Sequence, residues 1–152
     1  MSFRDILCAV AGILGGSVAW LFGGWADSII VLMVCLGIDY VTGLIVAGIF
    51  HASPKSETGG LESNAGWKGL ARKVITLLLV AVANMCGKLI GTPVLRDVVA
   101  IAFCANEMIS IIENAGLMGI PLPEALVKGV DALKKKAMSA AKEQEEKTNE
   151  KH

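Results

Sequence analysis

The sequence predicts an all-α integral membrane protein with about four transmembrane helices and a charged helical tail. Three observations lead to this fold class: the composition, four long apolar stretches, and an uneven distribution of the basic residues. Of 152 residues, 54% are hydrophobic and only 18% are charged, whereas a soluble domain usually has about a quarter charged residues. The composition also excludes an intrinsically disordered chain, which would combine low hydrophobicity with high net charge.

The first two apolar stretches are residues 6–22 and 28–50. A helix needs about 20 apolar residues to cross a bilayer, so the second is long enough and is interrupted only by Asp39. The first is uncharged but short, which leaves a three-span protein as the alternative. Although Arg4 precedes it, as in a signal peptide, no small-x-small cleavage pattern follows. We therefore expect a retained helix.

The third and fourth predicted spans are residues 74–95 and 98–112. The third follows Lys73 and contains Lys88 in its second half, while the fourth is short and contains Glu107. Both stand out as apolar stretches despite these polar interruptions.

Turn-forming residues predict a loop over residues 51–69, between the second and third spans. The predicted transmembrane domain, residues 1–122, gives way to a tail, residues 123–152. Pro123 suits the first turn of a helix, and beyond residue 134 the tail is rich in Lys, Glu and Gln, as in a solvated helix. Apolar residues recur in it at helical spacing: Leu126, Val130, Leu133 and Ala137.

The basic residues predict the orientation, because cytoplasmic segments carry an excess of Lys and Arg. Twelve of the fourteen fall in the N-terminus, the second interhelical segment and the tail, so both termini are predicted to be cytoplasmic. Lys68, Arg72 and Lys73 are interpreted as topology determinants rather than as chemical groups. The twelve are Arg4, Lys55, Lys68, Arg72, Lys73, Lys128, Lys134, Lys135, Lys136, Lys142, Lys147 and Lys151.

Two acidic residues, Asp39 and Glu107, lie deep inside predicted spans, where an ionised acid is costly. Counting helical rise from the outer ends places both near the bilayer centre. Each has polar or small companions on its own helix face, and such a stripe either makes hydrogen bonds within one monomer or faces a pore or another subunit. We take the second as the hypothesis. The candidate residues of this face are Asp39, Thr42, Gly43, Glu107, Ser110 and Asn114.

Two glycine pairs have the four-residue spacing that lets helix backbones approach closely. They are Gly12 with Gly16, and Gly87 with Gly91. We interpret all four as helix-packing candidates, although such pairs also arise by chance in glycine-rich spans.

The sequence contains no motif that is typical of a soluble enzyme. His51 and His152 lack cysteine or acidic neighbours at ligand spacing, and the four cysteines stand singly in apolar runs. No phosphate-binding or dinucleotide-binding loop is present. We therefore expect no enzymatic activity, cofactor or metal. The formal net charge of zero gives no reason to expect a nucleic-acid partner.

Three stretches together resemble the small phage-lysis holins, a family that includes the toxin-secretion holins of clostridia. The first is Asp39-Tyr-Val-Thr-Gly, late in an apolar span, and the second runs from Ser63 to Lys73. The third and most specific is Asn106-Glu-Met-Ile-Ser-Ile-Ile-Glu-Asn, followed by Gly119-Ile-Pro-Leu-Pro. The resemblance covers roughly residues 30–133.

The resemblance implies a phage protein of the bacterial cytoplasmic membrane. Such a holin accumulates harmlessly in the lipid bilayer, then assembles at a set time into homo-oligomeric lesions that collapse the membrane potential. An endolysin partner then reaches the peptidoglycan; an antiholin partner and non-lytic toxin export stay open. A small ion channel or transporter, and a membrane anchor that recruits a partner through its tail, are the alternatives from other classes.

Overall fold

The computed structural model describes residues 2–56, 58–92 and 94–149, with the backbone alone at 141 and 144–149. Within these residues the fold is entirely helical. The described residues form five α-helices and one short π-helical turn, which ends at His51 with a positive φ of 50°. The elements are α1 (Phe3–Phe22), α2 (Asp27–Ile45), the π-helical turn (Val46–Phe50), α3 (Ser63–Ile90), α4 (Val94–Leu117) and α5 (Glu124–Asn149).

Helix α4 occupies the centre of the fold and contacts α2, α3 and α5. The core between α2, α3 and α4 is apolar, as the hydrophobic runs predict. Helix α1 is almost entirely exposed except at Phe22, which is 6% exposed and joins this core. The core residues are Phe22, Ile29, Leu32, Leu36, Val80, Ala81, Ala100 and Cys104.

Three of the described helices are long and apolar enough to cross a membrane: α1, α2 together with the π-helical turn (Asp27–Phe50), and α3. Helix α4, which contains the predicted span 98–112, is not among them. The all-helical membrane fold is thus confirmed.

Two predicted boundaries around the third span are wrong. Helix α3 begins at Ser63, within the predicted loop, and continues through Gly66 and Gly69, because isolated glycines are tolerated inside a helix. It also ends at Ile90 rather than Leu95, since Gly91 adopts the left-handed conformation, with φ of 75°, that commonly terminates helices. Helix α4 then starts at Val94, four residues before the predicted span.

Helix α5 confirms that the tail is helical, and most of its described side chains beyond residue 134 are exposed, as predicted for a solvated helix. Because only residues 118–123 separate the two helices, α5 folds back along α4. Val130 and Ala137 are each only 5% exposed, because the apolar stripe of α5 packs against the bundle. Residues 150–152 of the predicted tail lie outside the described residues.

Candidate functional site

A lysine lies between two carboxylates contributed by two other helices. Lys73 of α3 donates hydrogen bonds to Asp39 of α2 and to Glu107 of α4. Its Nζ is 2.7 Å from Asp39 Oδ2 and 2.6 Å from Glu107 Oε2. One ammonium thus ties together the three packed helices of the core.

Asn114 extends this contact along α4. Its Nδ2 donates to Asp39 Oδ1 at 3.1 Å and to Thr42 Oγ1 at 2.9 Å. The helical period explains the arrangement, because positions 39 and 42 lie one turn apart on α2 and positions 107 and 114 two turns apart on α4. We call Asp39, Thr42, Lys73, Glu107 and Asn114 the ionic cluster.

The ionic cluster is buried. The side chains of Lys73, Asp39 and Glu107 are 13%, 8% and 11% exposed. Desolvated charges are costly unless they are paired and hydrogen-bonded, and here each carboxylate meets the ammonium directly. The mutual pairing therefore explains how three ionisable groups are accommodated in an apolar bundle. The loss of any one of these charges would therefore leave the remaining ones less well compensated.

The structure brings together four of the six residues predicted for the polar face, and the other two lie next to them. Gly43 adjoins the ionic cluster, since a Cβ at this position would lie 3.9 Å from Asn114 Nδ2. Ser110 lines a cavity beside Glu107. Within one chain the polar groups of the ionic cluster face each other. Whether they face a pore or another subunit in an oligomer stays a prediction.

Sequence reasoning missed the role of Lys73, which it grouped with Lys68 and Arg72. Those two side chains are exposed, whereas that of Lys73 turns inward to the carboxylates. A lysine that immediately precedes an apolar run can point either way, because its long side chain reaches water or a buried partner. The available signal was the presence of two unpaired acids in neighbouring spans.

Two cavities border the ionic cluster. The larger, of about 200 Å³, lies between α3, α4 and the segment that precedes α3. The smaller, of about 80 Å³, lies between α2 and the loop that follows it, and both are lined by Asp39, Lys55 and Lys73. No three His, Cys, Asp or Glu side chains converge as metal ligands in the described part of the chain.

A second polar site closes the opposite end of the bundle. Asn84 donates to the carbonyl oxygen of Leu21 at 2.9 Å, and Arg96 donates to those of Phe22 and Gly23, both at 3.0 Å. The last carbonyls of a helix lack partners within it, so these side chains cap α1 and attach it to α3 and α4.

At the same end, Ser28 donates to Asp97 Oδ1 at 2.7 Å. Asp97 also forms an ion pair with Arg96 at 2.9 Å. This polar site was not predicted from the sequence, because its residues come from separate spans.

The glycine pairs occupy different environments. Gly91 terminates α3, and the nearest atom to a Cβ built on Gly87 would be the carbonyl oxygen of Thr92, at 2.5 Å. This pair therefore shapes the turn between α3 and α4. A Cβ at Gly12 or Gly16 would meet nothing within 4 Å, so the structure shows no helix packed on them, and their packing role stays a prediction.

Comparison with known proteins identifies the family. The profile of the bacteriophage holin family matches residues 16–135, which include every residue of the ionic cluster. The chain belongs to the bacteriophage holin family. The family resemblance proposed from the sequence is thus confirmed.

Individual relatives are similar to this holin-family protein over most of its length. A probable holin of Bacillus phage phi105 is 32% identical over 71% of this chain and 74% of the relative. An uncharacterized protein of Halalkalibacterium halodurans is 37% identical over 82% of this chain and 90% of its own length. An uncharacterized protein of Listeria innocua is 39% identical over 76% of this chain and 79% of its own length. No solved structure matches this holin-family protein.

Proposed function

We propose that this holin-family protein oligomerises in the bacterial cytoplasmic membrane and opens a lesion that dissipates the membrane potential. The lesion releases an endolysin to the cell wall, and the host cell lyses. The observation that carries the proposal is an ionic cluster inside the membrane bundle of a chain that matches the holin family.

Aromatic and basic residues support two membrane boundaries on this bundle. Trp67 and Lys68 stand near the start of α3, and Lys88 lies near its end, 5.2 Å from the ring of Trp20. Tryptophan and lysine commonly lie at the membrane interface. Lys68 and Lys88 are twenty positions apart, which corresponds to roughly 30 Å of helix, the thickness of a hydrocarbon core.

These boundaries support four spans with both termini in the cytoplasm. This arrangement requires that α5, which lies along α4 in the single chain, separates from α4 at the cytoplasmic membrane surface. Arg96 lies at the same end as the Lys88 boundary, through its bonds to the end of α1. Helix α4 runs from there back to Asn114, which contacts Asp39 and Thr42 near the opposite end. In this arrangement α4 crosses the bilayer among α2 and α3, and its buried acid Glu107 remains paired with Lys73 inside the bundle.

The ionic cluster gives the single chain a way to stay harmless in the bilayer. Polar groups that are satisfied within one bundle have no need for water or for another subunit. A water-filled lesion needs polar surface, and in the single chain the polar groups lie buried between α2, α3 and α4. We therefore assign the ionic cluster, with Ser110, to the surface that turns toward water or other subunits in the oligomer.

Inducible expression in bacteria, with and without a co-expressed endolysin, tests this function. We expect the membrane potential to collapse in both cultures, and the culture density to fall sharply when the endolysin is present. Sustained potential and density at confirmed membrane expression would contradict the proposal. Selective ion flux without killing would indicate a channel instead, and unchanged permeability would indicate an anchor.

Charge-removing variants test the ionic cluster in the same assay. Asp39→Asn and Glu107→Gln keep the side-chain shape, but they weaken the contacts that hold the closed bundle, so we expect lysis to begin earlier. Glu113→Gln is the matched control, because Glu113 is an exposed acid on the same helix. Unchanged lysis timing for both cluster variants, at equal protein levels, would contradict the assigned role.

A further inference from the structure

The larger cavity beside the ionic cluster is lined on one side by cationic groups. Lys55, Lys68, Arg72 and Lys73 all contribute to its wall, together with the carboxylates of Asp39 and Glu107. Both carboxylates are engaged with Lys73. One ammonium balances only one of the two carboxylates, so the four cations and two acids of the lining give the cavity a net charge of +2. The other three cations, Lys55, Lys68 and Arg72, therefore outnumber the remaining acidic charge.

These three cations are placed to act on one anion. Lys68 and Arg72 lie four residues apart on α3 and thus share a helix face, while Lys55 approaches from the preceding loop. All three are exposed, and none makes an ion pair with another described residue. The same wall carries neutral hydrogen-bonding side chains: Thr76, Asn106 and Ser110.

The cavity lies at the level of one membrane boundary. Trp67, which precedes Lys68, is 69% exposed, and an exposed tryptophan beside lysine is typical of the headgroup region. The volume, about 200 Å³, is many times what a single water needs. A charged lipid headgroup can enter from the side while its acyl chains stay along the apolar surface of α3.

We propose that this cavity binds the phosphate group of an anionic phospholipid. Arg72 supplies a planar guanidinium that can form two parallel hydrogen bonds to phosphate oxygens, and Lys68 and Lys55 add point charges around it. Lys73, held by its two carboxylates, forms the floor of the cavity. The proposal requires that the chain be embedded in a membrane, but not that it cause lysis, and therefore goes beyond the proposed function.

The test uses the full chain in mild detergent, with lipid binding followed by native mass spectrometry. Phosphatidylglycerol and phosphatidylcholine with identical acyl chains are titrated in turn. We expect phosphatidylglycerol to bind about tenfold more tightly, because each cation near an anionic headgroup contributes to attraction. The double variant Lys68→Gln/Arg72→Gln should remove this preference and leave phosphatidylcholine binding unchanged.

Two further variants show whether the lipid preference depends on the cavity or only on the overall positive charge of the chain. Lys134→Gln/Lys135→Gln removes the same charge from exposed positions of α5 and should keep the preference. Lys68→Arg should also keep it, which shows that loss in the double variant reflects charge rather than misfolding. Equal binding of the two lipids by the unaltered protein, or an equal loss in the α5 variant, would overturn the proposal.

Inorganic phosphate distinguishes the two sources of the ligand group. Because a lipid is also retained by its acyl chains, we expect millimolar phosphate to leave bound phosphatidylglycerol in place. Complete displacement by phosphate at these concentrations would overturn the lipid assignment in favour of free phosphate. The lipid measurements need no lysis, so failure of the lytic function and failure of this site give different results.

Discussion

Lys73 bridges Asp39 and Glu107 in a bundle whose other contacts between α2, α3 and α4 are mainly apolar. A buried ion pair contributes little beyond what well-packed apolar groups would provide, because desolvation offsets the Coulomb attraction. Removal of one partner is different, since it leaves the remaining charges buried and unpaired. The ionic cluster therefore makes the bundle sensitive to single substitutions at its centre.

Lys73→Met is expected to destabilise the protein by about 3–5 kcal/mol, because it leaves two carboxylates close together without their counter-ion. Thermal unfolding of the purified chain in detergent measures the effect. Lys128→Met is the control, since Lys128 also pairs with an acid but is 76% exposed, and exposed pairs contribute about 0–1 kcal/mol. Equal losses in the two variants would contradict the buried pairing.

Gly23 joins α1 to the bundle at a position that other residues cannot easily occupy. It has φ of 72°, and a Cβ there would lie 2.5 Å from Asn84 Oδ1. Gly23→Ala should therefore cost roughly 2–4 kcal/mol, from left-handed backbone strain together with a disturbed Asn84 hydrogen bond.

Gly119→Ala serves as the comparison for this substitution in the same unfolding measurement. Gly119 has a similar φ of 74°, but a Cβ there would meet nothing within 4 Å. Backbone strain alone should cost about 1–2 kcal/mol. A cost for Gly119→Ala as large as that for Gly23→Ala would show that crowding at Asn84 contributes nothing.

At the scale of helices, hydrophobic periodicity predicts which segments are helical better than where each one ends. The long apolar run of α3 was predicted, but Ser63 and Ile90 as its ends were not, because polar residues at a membrane interface continue a helix as readily as they leave it. The contact between α5 and α4 was also missed, since Val130 and Ala137 form a stripe too narrow to reveal its partner.

The packing of α5 on α4 can be tested by placing one charge on the buried face of α5 and, as a control, one on its exposed face. Ala137→Asp places a carboxylate at a buried position and should release α5 from α4, whereas Ala132→Asp places it at an exposed one. Limited trypsin digestion at Lys134–Lys136 measures the release. We expect about tenfold faster cleavage in the Ala137 variant, because undocked helices open locally more often. Equal rates would show that α5 does not depend on this contact.

For the whole molecule, the sidedness of the basic residues predicts that Lys55 and Lys142 lie on one side of the membrane and Trp25 on the other. Single cysteines at these positions, in a chain whose four native cysteines are replaced by alanine, test the arrangement. A membrane-impermeant maleimide added to intact cells should label position 25 alone. Labelling at 142 but not at 55 would show that α4 does not cross the bilayer.

The sequence accounts for the membrane class, the family and the polar residues that meet in the bundle. It does not specify how these residues are paired. Asp39 and Glu107 were recognised one span at a time, and only the packing of three helices shows that Lys73 is their shared partner. Partner choice inside a bundle depends on helix rotation and offset, which a one-dimensional hydropathy pattern does not encode.

In the proposed membrane arrangement, the spacing of Lys68 and Lys88 along a single continuous α3 makes the chain responsive to bilayer thickness. A bilayer that differs from roughly 30 Å forces the helix to tilt or the lipid to stretch or thin, at a cost of fractions of a kcal/mol per Å. Helix α3 also carries Lys73, so any tilt moves the ammonium relative to its two carboxylates. Hydrophobic mismatch in the host membrane would therefore act directly on the contact that holds the bundle together.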